Sequence, residues 1–151
     1  MKKLSLFALL CAPLLVSSAH AAPKPKIAAK AVQWQPSYAA ALAEGKRSGK
    51  PIFVDFFTTW CGPCKYLDAV TYKDPTFIAQ SRHWVMLKVD AEKDTANVKL
   101  AGKFRVEGYP TLLFLKSNGN EADRSVGFMP AGALVAQMRK AAEKANGGRR
   151  I

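Results

Sequence analysis

Hydrophobic positions divide the chain into segments of two periodicities. Residues 52–58 (Ile-Phe-Val-Asp-Phe-Phe-Thr) are almost continuously apolar with one acid inside the run, the pattern of a strand buried on both faces. Residues 84–89 repeat it, and Asp90 ends it. Between the two, a helix is predicted to run to about Tyr72; Asp74-Pro75 interrupts, and 76–80 form a short helical turn. Trp34 marks the start of the fold. Pro36-Ser37 opens the first helix with Ser37 as its cap, and 48–51 (Ser-Gly-Lys-Pro) stop it. Residues 95–104 form a helix that turns Val98, Leu100 and Ala101 inward. Residues 111–115 and 122–126 flank Asn118-Gly119, a two-residue hairpin signal. Pro130 begins a last helix with Leu134, Val135 and Met138 on its apolar face.

The order is therefore helix, strand, helix, strand, helix, hairpin, helix. Strands alternating with helices imply parallel neighbours, and the hairpin adds an antiparallel pair. The predicted class is α/β, a central mixed β-sheet flanked by helices on both faces, in a single domain over 34–146. No internal repeat is present. Open sheets of this kind place their sites at the carboxyl ends of central strands. Strand 52–58 delivers Trp60-Cys61-Gly62-Pro63-Cys64-Lys65 to that end.

The N-terminus changes the cysteine arithmetic. Lys2 and Lys3 precede an apolar stretch at 4–16, and Ala19-His20-Ala21 follows. These are the parts of a cleaved export signal, with cleavage after Ala21. Residues 22–33 read as a flexible leader and 147–151 as a disordered tail. Cys11 leaves with the signal, because Leu10 stands where a lipoprotein signal needs a small residue. Of three cysteines, Cys61 and Cys64 remain, so the predicted exported protein has no structural disulfide framework. The formal charge of +12 drops by the two leader lysines. No groove-reading motif or aromatic-interleaved basic patch accompanies that charge, so nucleic acid is excluded as a partner. A solvated basic surface, steering toward an acidic partner and contact with lipid headgroups all remain open.

Cys61 and Cys64 at i and i+3 of a first helical turn share one face, with Cα atoms roughly 5–6 Å apart, within disulfide range. A bridge closing so short a loop constrains the unfolded chain little, so its use lies in opening and closing. Cys61 stands before the helix, where unpaired N–H groups and the positive dipole end favour a thiolate. Pro63 fits an early helical position, which needs no N–H. Cys64, one turn in, should be the more buried. Cys61 is the expected attacking thiol and Cys64 the resolving one. Asp55 inside the apolar strand should have a raised proton affinity and could exchange a proton with Cys64.

These residues resemble the thioredoxin family. The stretch from Val54 through Asp55, Trp60, Cys61, Gly62, Pro63 and Cys64 to Lys65 is similar to its active-site segment nearly position for position. Gly108-Tyr109-Pro110-Thr111 is similar to its cis-proline strand, and Gly127 matches a late glycine. Thr71-Tyr72-Lys73-Asp74-Pro75 and the long 91–104 connection resemble exported members. The C-terminal periplasmic domain of membrane thiol:disulfide interchange reductases is the comparison here. The resemblance implies a thioredoxin fold and a periplasmic thiol:disulfide oxidoreductase that reduces protein disulfides, with a membrane thiol reductase as electron donor. It implies catalytic roles for Cys61, Cys64, Asp55 and a cis Pro110, with Trp60, Gly62, Pro63 and Tyr109 contacting substrate. No metal or organic cofactor is implied, and a monomer is expected. In cytosolic members a lysine lies four residues before the strand-ending aspartate. Met86 holds that position here, so Asp55 is expected to lack a cationic neighbour.

Other readings are a thioredoxin-fold binding module and a disulfide donor or isomerase. A metal chaperone would have only two thiolates where a structural zinc site takes four ligands. His83, beside a buried strand, reads as a structural histidine, and covalent haem attachment needs a histidine where Lys65 stands.

Overall fold

The computed structural model describes residues 31–145. The predicted leader, its cleavage point after Ala21 and the tail at 147–151 lie outside the described residues. So does most of 22–33, although Val32 of that stretch is buried in the core.

Five strands form one sheet in the order β1-β3-β2-β4-β5. They are β1 (Trp34–Gln35), β2 (Ile52–Phe57), β3 (Val85–Asp90), β4 (Thr111–Leu115) and β5 (Glu121–Val126). The helices are α1 (Tyr38–Ser48), α2 (Gly62–Ala69), α3 (Pro75–Ser81), α4 (Thr95–Lys103) and α5 (Ala131–Ala145). A 3-10 turn at Thr71–Lys73 follows α2, so the predicted helix to Tyr72 ends in a tighter turn. Central β2 pairs parallel with β3 and antiparallel with β4, which gives the mixed sheet.

Alternation along β2 builds both layers. Phe53 packs with Leu67, Tyr72, Phe77, Leu112, Phe114, Leu134 and Met138 on the side of α2, α3 and α5. Ile52, Val54 and Phe56 pack with Ala41, Leu87, Ala101 and Phe104 on the side of α1 and α4. Asp55 shares the parity of Phe53 and so belongs to the first side. Fully burying each of the large side chains contributes about 2–3 kcal/mol. A strand carrying an acid is thereby held rigid on both faces.

Several local expectations are revised. The two-residue strand β1 was not predicted; it joins the sheet edge through Trp34↔Met86 and Gln35↔Leu87. Val98 is exposed rather than inward. Asn97 takes the inward slot one position earlier, where its Nδ2 donates to the Asp90 carbonyl at 2.9 Å. Asn118-Gly119 does not form a two-residue turn. The N–H of Gly119 reaches the carbonyl of Lys116 at 2.9 Å, and Gly119 alone adopts the left-handed conformation (φ 89°). The connection is longer because Asn118 stays at negative φ, its Oδ1 accepting from the N–H of Asn120. Ser37 caps α1 as predicted, its side chain accepting from the N–H of Ala40.

Candidate active site

The end of β2 runs through Thr58 and Trp60 into α2. Cys61 is the N-cap of α2 in extended conformation, followed by Gly62 and Pro63 in the first turn. Its Sγ accepts the N–H of Cys64 at 3.1 Å. A capping residue normally uses an oxygen for this bond; here sulfur takes the place, next to the positive end of the helix. Cys61 and Cys64 are joined in a disulfide, with Cα atoms 5.3 Å apart. Cys64 is the more buried, but narrowly, at 1% exposure against 3%.

The peptide bond between Tyr109 and Pro110 is cis, at the entry to β4, and the Pro110 carbonyl accepts the N–H of Gly127 at 2.8 Å. Trp60 is 64% exposed. Its indole N–H donates to Glu92 at 2.9 Å, and its ring meets Tyr109 edge-on, centroids 5.9 Å apart. Further along α2, Tyr66 stacks edge-on with Phe128 at 4.9 Å. Trp60, Tyr66, Val70, Val126 and Phe128 are five of the six large hydrophobic side chains exposed among the described residues. All five lie on the segments that carry or adjoin the cysteines and the cis proline: α2 with its caps, and the end of β5 that pairs with Thr111.

Asp55 is fully buried. Loss of solvation raises its pKa to about 7; nearby Lys88 and Tyr72 oppose the rise and Asp68 adds to it. Neither carboxyl oxygen makes a hydrogen bond of ordinary geometry, nor does the Tyr72 hydroxyl that faces it. The expectation that Asp55 has no cationic neighbour is overturned. Met86 is indeed buried in the core against Phe53. Two residues on, however, Lys88 is in register with Asp55, its Nζ 3.9 Å from Oδ2. Side chains two apart on a strand share a face, so the amine reaches the carboxyl from a different rung.

Sequence reasoning named the cysteines, Asp55, Trp60, Gly62, Pro63, Tyr109 and Pro110, and the structure brings their segments to one end of the sheet. It missed Lys88, Asp68, Tyr72, Glu92 and Phe128. A lysine inside an otherwise apolar strand was the available signal for Lys88. His83 is exposed and only its backbone N–H is bonded, to the Gln80 carbonyl, so it is not a packed structural histidine.

A family model described as thioredoxin-like matches residues 33–117. The chloroplastic thioredoxin Y of Oryza sativa subsp. japonica is 34% identical over 100 residues, 66% of this chain and 56% of that protein. The thiol:disulfide interchange protein DsbD of Vibrio vulnificus is 32% identical over 102 residues, 66% of this chain but 17% of that protein. The chain therefore spans just over half of the first relative and a small part of the second. Among solved structures, DsbH oxidoreductase superposes with a TM-score of 0.70 at 29% identity, covering 84% of this chain and 95% of that one.

Proposed function

Because the chain belongs to the thioredoxin-like family, we propose that it is an exported thiol:disulfide oxidoreductase that reduces protein disulfides. The observation that carries this reading is the Cys61–Cys64 disulfide at the start of α2, on segments that also expose Trp60, Tyr66 and, against Tyr66, Phe128. A dithiol acting on a small thiol would not need that apolar surface. A polypeptide substrate does.

In the reductive direction, the Cys61 thiolate attacks one sulfur of a substrate disulfide. A mixed disulfide forms, and the other substrate sulfur leaves as a thiolate that takes up a proton. Cys64 then loses its proton to Asp55 and attacks Cys61. The Cys61–Cys64 bridge closes and the second substrate thiol departs; two electrons have passed from the dithiol to the substrate. Asp55 suits this step because a group titrating near 7 can both take and return a proton at neutral pH. The cap position of Cys61 suits it to attack, since the Cys64 N–H and the helix dipole stabilise its thiolate. Trp60, Gly62, Pro63 and Tyr109 form the docking surface, with the Tyr109 backbone, next to the cis Pro110, pairing with the substrate chain as an added strand.

A dithiol donor must restore the reduced form. The export signal predicted at the N-terminus and the similarity to an interchange protein support a periplasmic setting; we take a membrane thiol reductase as that donor and the protein as a monomer. The deciding experiment is the reduction potential of the Cys61–Cys64 pair in glutathione buffers. A value near about −270 mV supports a reductase; one near about −120 mV makes the protein a disulfide donor instead. A Cys64→Ala variant that captures no protein through Cys61 would sink both readings.

A further inference from the structure

Resting on the reading above, we propose that Asp68 is a positioning residue. By holding the ammonium of Lys88 on the solvent side of the cluster, it keeps that cation from closing on Asp55 and so leaves the carboxyl free to exchange its proton with the dithiol. Lys88 stands between two carboxylates. One is buried Asp55, in register with it across β2 and β3 at 3.9 Å. The other is Asp68 in α2, half exposed, which takes the close hydrogen-bonded contact with Nζ. Three rings confine the ammonium: Phe57 at 4.5 Å, Tyr72 at 5.5 Å and Trp34 at 5.9 Å from their centroids. In that cage the amine has two anionic partners to choose from and little other freedom.

The hydrogen bonding records the choice. Lys88 bonds Asp68, while the Asp55 oxygens make no hydrogen bond of ordinary geometry and are faced by the Tyr72 hydroxyl. An ionised carboxylate so buried and unbonded is strongly disfavoured. The groups facing Asp55 are few. Lys88 comes from β3, Asp68 from α2 and Tyr72 from the 3-10 turn, while β4 presents Leu112 opposite. With Asp68 neutral, nothing competes for the ammonium, and it can close on Asp55 and favour the carboxylate. Asp68 lies four residues after Cys64, so the residue that sets the acid's state is on the helix that carries the thiols.

The test is an Asp68→Asn variant of the oxidised protein, with the Asp55 carboxyl titrated by 13C NMR. The midpoint is expected to fall by on the order of one pH unit, the tenfold change that a closer ion pair produces. Asp68→Glu restores the wild-type midpoint. In a Lys88→Met background the same substitution shifts the midpoint by less than a third as much, because the intermediary is gone. An unchanged midpoint in Asp68→Asn overturns the proposal. So does an equal shift with and without Lys88, which would make Asp68 a direct through-space charge. The titration needs no substrate, so it stands or falls separately from the proposed reductase activity. If that activity is present, its pH profile moves with the midpoint in Asp68→Asn.

Discussion

Replacing Asp55 with asparagine should remove a pH-dependent burden from the fold. The pKa of Asp55 rises from 3.8 to about 7 because burial strips water from the carboxylate. In the unfolded chain the group ionises near 3.8; in the folded chain it holds its proton up to about 7. Between those values the folded state binds one more proton than the unfolded state, so stability falls as pH rises. Roughly three units at about 1.4 kcal/mol each make about 4 kcal/mol, present below 3.8 and lost by the time pH passes 7. That is a large share of the roughly 5–15 kcal/mol of a typical domain. The assay is urea unfolding of the oxidised protein at several pH values from about 4.5 to 8. Asp74, whose pKa is lowered by its bonds to Thr76, contributes stability that is lost only as pH falls below that window. Wild type should lose stability across the window while Asp55→Asn loses much less, so that the variant gains on wild type with every unit of pH. Parallel profiles for the two proteins would refute the reasoning, since the buried carboxyl would then not be titrating between its two states.

Three further outcomes are expected. Phe128→Ser should raise KM for a protein disulfide several-fold and leave turnover of a small aromatic disulfide unchanged; equal effects on both would remove the apolar surface from substrate binding. Ser37→Ala deletes the side-chain bond to the Ala40 N–H and should cost about 1 kcal/mol in thermal or urea unfolding without touching activity. Gly119→Ala places a Cβ within 2.9 Å of the Tyr38 hydroxyl at a φ of 89°. It should destabilise by more than about 1 kcal/mol, and a neutral result would mean that the turn relaxes freely.

What could be read in advance follows from how local each cause is. The dithiol, its helix and Asp55 were legible because a motif, a cap position and a lone acid in an apolar run are adjacent in sequence. The cis proline came through resemblance, not through any pattern in the chain. Lys88 was missed because its role depends on the register between two parallel strands set 33 residues apart (Asp55↔Lys88), and one rung's displacement is invisible until the sheet is assembled. Strand β1 was missed because two residues carry no periodicity; the edge of β3 recruits them. Val98 was placed inward on hydrophobicity, but Asn97 could satisfy a strand-end carbonyl and Val98 could not.

The exposed apolar side chains share their segments with a single pair of cysteines, and the described residues contain no second pair. On the function proposed above, the donor that reloads the protein and the substrate that discharges it would therefore use the same face, one after the other. Neither can wait on the protein while the other reacts. Turnover should follow alternating, ping-pong kinetics, with an excess of either partner slowing the other.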